Sequence, residues 1–178
     1  MARFTIEPIK NHHIPQLSAY EKAAFESEIA MNIKTDEEWR YQIKTYEHSR
    51  IMLDTEKDFI FGYHLTAQIE NNLWIREIFI HPKYRSTERG THDTKREGYG
   101  GIRNKPIATL VKTAADLGGD VFAPIATSNI AADNALKVLY GFINGPVIEG
   151  WFPNGKDMLI LHLPYNLNPF VKHTVPTV

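Results

Sequence analysis

Hydrophobic positions along the chain alternate in short stretches of period two, broken by segments of helical period. Phe4, Ile6 and Ile9 read as a first strand, and Asn11 to Pro15 turns the chain into a helix running roughly to Phe25. A second helix starts near Thr35, a Thr with Glu38 three residues on, which is the spacing of a capping box. Arg50 to Asp54 and Phe59 to Ile69 are rich in Ile, Phe, Leu and Tyr and read as two strands; Asn71-Asn72 then turns into a strand at Leu73 that continues through Ile80. From Lys105 the period changes again, with Ile107, Leu110, Val111, Ala114 and Ala115 on one helical face and Gly118-Gly119 to end it. Val121 to Ala126 predicts a buried strand and Ser128 or Asn129 the start of another helix, closed by Gly145-Pro146. Val147 to Phe152 and Met158 to Leu163 then form a hairpin around Pro153-Asn154-Gly155. The first strands make an antiparallel meander, and the later strand-helix-strand order adds a parallel pair. This predicts an α/β (α+β) fold with a mixed, mostly antiparallel sheet flanked by helices.

Length allows one domain with a substantial core: the 178 residues contain no Pro/Gly/Ser-rich linker. We take 1–165 as the domain and 166–178 as a tail, which packs on the surface, swaps into a partner as in a homodimer, or stays loose. The 43% hydrophobic and 23% charged composition is that of an ordinary globule. Twenty basic against 21 acidic residues give a formal charge of -1, so overall charge argues for neither nucleic acid nor membrane. Zero cysteines exclude a disulfide framework and a thiolate nucleophile. With no leader-like N-terminus and no apolar run of spanning length, a cytoplasmic location is expected.

Charge is uneven locally, and this changes the picture. From Lys83 to Lys105 seven bases (Lys83, Arg85, Arg89, Lys95, Arg96, Arg103, Lys105) face three acids (Glu88, Asp93, Glu97). Inside that basic stretch lies Lys95-Arg96-Glu97-Gly98-Tyr99-Gly100-Gly101, a glycine turn that follows a strand and precedes a helix. Successive glycine amides can curl round an anion, and the first turn of a helix leaves N–H donors unpaired, so the setting suits a phosphate. No Gly-Lys-Ser/Thr follows and no third glycine stands at the dinucleotide spacing, so neither common nucleotide loop fits. The histidines show no metal-ligand spacing and no Gly-x-Ser-x-Gly elbow occurs, so no metal is expected and a hydrolase reading falls away.

IREIFIHPKYR, then EGYGGIRNKPIATLVKTAADLG, then an Asn-containing helix ending in Gly-Phe resembles the GCN5-related N-acetyltransferase family over nearly the whole chain, most strongly from Ile75 to Phe142. The resemblance implies a six- to seven-stranded acyl-CoA N-acyltransferase-like sheet and transfer of acetyl from acetyl-CoA (acetyl-coenzyme A) to a primary amine on a small molecule or a protein. It implies that the backbone of Ile78, Phe79 and Ile80 faces the pantetheine arm and that Lys95, Arg96, Gly98, Tyr99, Gly100 and Gly101 hold the pyrophosphate. Two departures stand out. Ser86 to Thr94 is inserted between strand and loop, and Leu136 occupies the position of the usual Tyr, with Tyr140 one turn later. They keep open a second reading, a protein of this fold that binds coenzyme A or a partner without transfer.

An amine attacks a thioester only when deprotonated, and the departing thiolate gains from a proton donor. Glu77, the only carboxylate in the Ile75–Ile80 strand, is the candidate base, or else an outward-facing or salt-bridged strand residue. Tyr140 is the candidate thiolate acid, or else a core Tyr beside the Gly-Phe turn. Asn129 contacts the coenzyme or caps its helix. Between Asn11 and Ser49 seven acids (Glu21, Glu26, Glu28, Asp36, Glu37, Glu38, Glu47) outnumber four bases (Lys22, Lys34, Arg40, Lys44), a solvated face or a region suited to a cationic acceptor.

Overall fold

The computed structural model describes residues 4–25, 34–80, 105–152 and 155–171. Seven strands are present in one sheet: β1 (Phe4–Pro8), β2 (Arg50–Asp54), β3 (Phe59–Ile69), β4 (Asn72–Ile80), β5 (Val121–Ala126), β6 (Ile143–Ile148) and β7 (Met158–Leu163). Their spatial order is β1-β2-β3-β4-β5-β7-β6. All neighbours are antiparallel except β4 and β5. Among the described residues the α-helices are α1 (Ile14–Phe25), α2 (Asp36–Thr45), α3 (Lys105–Leu117) and α4 (Ile130–Tyr140). The mixed, mostly antiparallel sheet flanked by helices is thus as the hydrophobic pattern predicts.

Among the described residues the core has three clusters, a small one around Met52 and Phe61 and two larger ones. Ile14 and Leu17 of α1 and Trp39 of α2 pack with Ile51, Tyr63, Leu65 and Phe79, while Leu110, Val111 and Ala114 of α3 pack with Leu73, Ile75, Val121, Leu161 and Leu136 of α4. Strand β4 therefore serves both larger clusters. The N-cap of α2 is Thr35, whose hydroxyl accepts from the Glu38 amide while the Glu38 carboxylate accepts from the Thr35 amide, the reciprocal box read from the sequence.

The stretch after α4 differs from expectation, since the strand read over Val147 to Phe152 spans Ile143–Ile148 instead. Helix α4 ends at Gly141, which takes a left-handed φ of 78°, and Gly145-Pro146 lies inside a strand instead of ending the helical region. Proline has no N–H for a ladder, so it survives in a sheet only at an edge or a bulge. Here it has both: β6 is the outermost strand, and its register with β7 shifts between Asn144 and Val147.

β4 and β5 pair at only two places, Leu73↔Val121 and Trp74↔Phe122. A stack runs across this join: Trp74 lies on Phe122 with ring centroids 4.4 Å apart, and Phe122 lies on His162 of β7 at 4.6 Å. His162 Nε2 is in turn 2.7 Å from Asp120 Oδ2. Beyond Trp74 the two strands run on to Ile80 and Ala126 with no mutual register, so the sheet is pinned at one end of the parallel pair and parted at the other.

Candidate active site

Glu77 owes its direction to an irregularity in β4. Leu65 pairs with Glu77 but Thr66 pairs with Ile75, so Arg76 is an extra residue, a β-bulge. Uninterrupted alternation would put Glu77 on the face of Leu73 and Ile75, packed against α3. After the bulge, Glu77 and Phe79 share the face of Leu65 and Tyr63, toward α1 and α2.

There the carboxylate enters a buried polar cage. Oε1 of Glu77 accepts from the Tyr63 hydroxyl, and Oε2 accepts from Lys34 Nζ at 2.6 Å. Lys34 Nζ also donates to Glu21 Oε1, and the Tyr63 hydroxyl lies 3.3 Å from the same Glu21 oxygen. The second Glu21 oxygen accepts from the Lys34 backbone amide at 2.9 Å. The Trp39 ring closes another side, its centroid 5.0 Å from Lys34 Nζ. Side-chain exposure is 0% for Glu21, 10% for Glu77 and 11% for Lys34, so water screens this cluster little.

Two carboxylates share one ammonium. Burial pulls the Lys34 ammonium down, but the charges of Glu77 and then Glu21 outweigh it and the Lys34 pKa is raised. Burial lifts the Glu21 carboxyl above its ordinary range; Lys34 opposes this, and the Glu77 charge adds to it. Burial, with the two carboxylates adding, holds the Tyr63 hydroxyl well above its usual value, so it is a donor here and stays neutral.

Of the other sequence candidates, Ile78 is 40% exposed on the far side of β4 from Glu77, Phe79 is buried, and Ile80 is half-buried. These three lie on the stretch of β4 that has parted from β5. Tyr140 sits at the end of α4, packed against the α3 cluster; burial raises its pKa, and a hydrogen bond with the backbone of Ala108 in the first turn of α3 pulls the other way. Leu136 is buried in that cluster. Asn129 caps α4, its Oδ1 accepting from the Ala132 amide at 3.2 Å. Lys95, Arg96, Gly98, Tyr99, Gly100 and Gly101 lie outside the described residues. Among the described residues no group of three or more His, Cys, Asp or Glu is placed to hold a metal ion, and no helix is long and apolar enough to cross a membrane.

The structure thus joins Glu77 to Glu21, Lys34 and Tyr63, three residues that the sequence does not single out. Glu21 did leave a signal. It continues the Ile14, Leu17 spacing along the buried face of α1, where an apolar residue belongs. Lys34 precedes its helix with no periodic context, and Tyr63 reads as an ordinary strand aromatic.

No protein-family model and no curated protein matches the sequence. Solved structures match over almost the whole chain. Ard1 from Thermoplasma volcanium is similar with a TM-score of 0.72 at 10% identity, covering 92% of this chain and 98% of that one. The ribosomal-protein-S18-alanine N-acetyltransferase of Escherichia coli is similar with a TM-score of 0.66 at 15% identity, covering 98% and 99%. The putative acetyltransferase yncA of Salmonella typhimurium, solved with its cofactor acetyl-CoA, is similar with a TM-score of 0.67 at 14% identity, covering 99% of each. The chain has the fold of the GCN5-related N-acetyltransferases.

Proposed function

We propose that this protein is an N-acetyltransferase that moves acetyl from acetyl-coenzyme A to a primary amine by direct attack, with Glu77 as the proton acceptor. The observation that carries the reading is the 2.6 Å contact between Glu77 Oε2 and an ammonium, that of Lys34, on a strand that has just parted from its parallel neighbour. A carboxylate that already receives an N–H from one primary amine in a buried cage is placed to receive it from another. The fold supports the same chemistry, since the E. coli structural neighbour is named for acetylating an alanine of a ribosomal protein.

The parted stretch of β4 suits an extended ligand lying along a strand edge. Ile78, Phe79 and Ile80 would hold the pantetheine arm by their backbone, and Lys95, Arg96, Gly98, Tyr99, Gly100 and Gly101 would hold the pyrophosphate. Acetyl-coenzyme A, when bound, supplies the thioester that the amine attacks. Glu77 takes the ammonium proton, directly or through a water, which frees the nitrogen lone pair. The Tyr140 hydroxyl, kept protonated by burial, would return a proton to the departing sulfur. Asn129 caps α4 through Oδ1, and its side-chain amide would contact the coenzyme.

The test is a thermal-shift titration with acetyl-coenzyme A followed by a panel of primary amines with free thiol as the readout. At about 100 times the dissociation constant, the coenzyme should add roughly 2.7 kcal/mol to the folded state. No shift would sink the reading; a shift without thiol release from any amine would leave a coenzyme-binding protein of this fold.

A further inference from the structure

Both oxygens of Glu77 are already engaged from within the chain, Oε1 by Tyr63 and Oε2 by Lys34. Each oxygen keeps a second lone pair, but the side chain is only 10% exposed, and an ammonium held against Oε2 both repels a second cation and weakens the carboxylate as a base, so Glu77 takes a proton from an incoming ammonium once Lys34 withdraws. Tyr63 is fixed. It is fully buried on β3, stacked on Phe79 with centroids 5.5 Å apart and edge-on to Trp39 at 5.3 Å.

Lys34 is the partner that can leave. Its backbone amide is held separately by Glu21 Oε2, and the next residue, Thr35, is locked in the α2 capping box. Rotation of the side chain therefore needs no movement of the main chain. Its departure would strip two buried carboxylates of their shared counterion, and leaving such charges uncompensated is costly. A replacement must restore what Lys34 gives: N–H donors to Glu21 and to Glu77, and positive charge before the Trp39 ring. A primary ammonium has three N–H donors and meets all of these contacts, whereas a quaternary ammonium has none.

We propose that Lys34 is a built-in occupant of the acceptor's ammonium position, and that a primary alkylammonium on an unbranched methylene stem displaces it. This deepens the function proposed above and rests on Glu77 being the group that receives the acceptor's proton. Occupancy is exclusive, so the apparent affinity for an acceptor is lowered by the fraction of molecules in which Lys34 fills the cage. The device keeps Glu77 covered until an amine of the right form arrives, and it selects against cations that cannot reproduce the lysine contacts.

The test uses the whole chain with 15N-labelled lysine and no coenzyme. The Lys34 Nζ resonance, assigned by its loss in Lys34→Arg, should exchange slowly with solvent in the free protein. Titration with n-butylammonium should abolish that protected signal, and tetramethylammonium at equal ionic strength should leave it. A signal that persists through the n-butylammonium titration, or that tetramethylammonium removes equally, overturns the proposal. In Lys34→Met, n-butylammonium should raise the thermal midpoint more than in wild type, because the internal competitor is gone; equal shifts also overturn it. Absence of acetyl transfer leaves these outcomes unchanged, because no transfer step enters them.

Discussion

Lys34 Nζ lies 2.6 Å from Glu77 Oε2 while also donating to Glu21, so one cation serves two buried carboxylates that a single hydroxyl, that of Tyr63, bridges. Removing one partner from such a cluster hurts more than removing charge from both sides. Lys34→Met should therefore cost about 3–5 kcal/mol. Adding Glu21→Gln to it should recover part of that loss, since Gln keeps an acceptor for Tyr63 and drops one negative charge. Urea denaturation of the single and double variants checks this, and a double variant no more stable than Lys34→Met would contradict it.

The join between β4 and β5 depends on a close backbone approach at Gly119. A Cβ built there would lie 1.8 Å from the Asn71 carbonyl oxygen. Next to it, Leu73 N–H donates to Asp120 O at 2.9 Å, and Asp120 N–H donates to the Asn72 side chain at 2.9 Å. Gly119→Ala should destabilise by about 1–3 kcal/mol or more, because backbone must move. Hydrogen exchange at the Leu73 amide should speed up more than at the Leu65 amide. Equal acceleration at both would show general loosening and no special role for the join.

His64 is buried on β3, its Nδ1 3.0 Å from the Thr66 hydroxyl. Burial, with the nearby charges of Arg50 and His48 adding, lowers its pKa to about 3. The folded state thus holds His64 neutral where the unfolded chain protonates it, so stability is complete above about 6.5 and falls as pH drops toward 3. The slope is at most about 1.4 kcal/mol per pH unit. The stability difference between wild type and His64→Gln, measured from pH 7.5 down to 4.5, should shrink along that slope. A pH-independent difference would contradict the assignment.

Much of the fold was legible because alternation and helical period are local properties. The strands at Arg50, Phe59 and Val121 and the helix at Lys105 follow their patterns closely. The hairpin of β6 with β7 was legible, but the first half of β6 was hidden by Pro146, which reads as a stop until the strand is known to lie at an edge with a bulge. The candidate site was legible in one residue. Glu77 stood out by its charge within an apolar strand, but the bulge at Arg76 that turns it toward α1 leaves no trace in composition. Glu21, Lys34 and Tyr63 come together only through packing of α1, the start of α2 and β3, distances in sequence that no local pattern spans.

Tyr140 separates two roles by its hydroxyl alone. If it returns a proton to the thiolate, Tyr140→Phe should lower kcat by about 10²-fold or more with little change in the amine KM. Loss of the hydrogen bond with Ala108 should meanwhile cost only about 1 kcal/mol of stability. An unchanged kcat with that same small stability loss would make Tyr140 a packing residue that ties α4 to α3.

The most direct measurement is steady-state thiol release from acetyl-coenzyme A with a saturating primary amine, for wild type and Glu77→Gln across pH 6 to 10. In the variant kcat should fall by about 10²–10⁴-fold at neutral pH and recover as pH rises, because solvent increasingly supplies the free amine. The wild type should lose far less at low pH. Equal kcat in both proteins at neutral pH, with the variant folded, would contradict the claim that Glu77 accepts the proton.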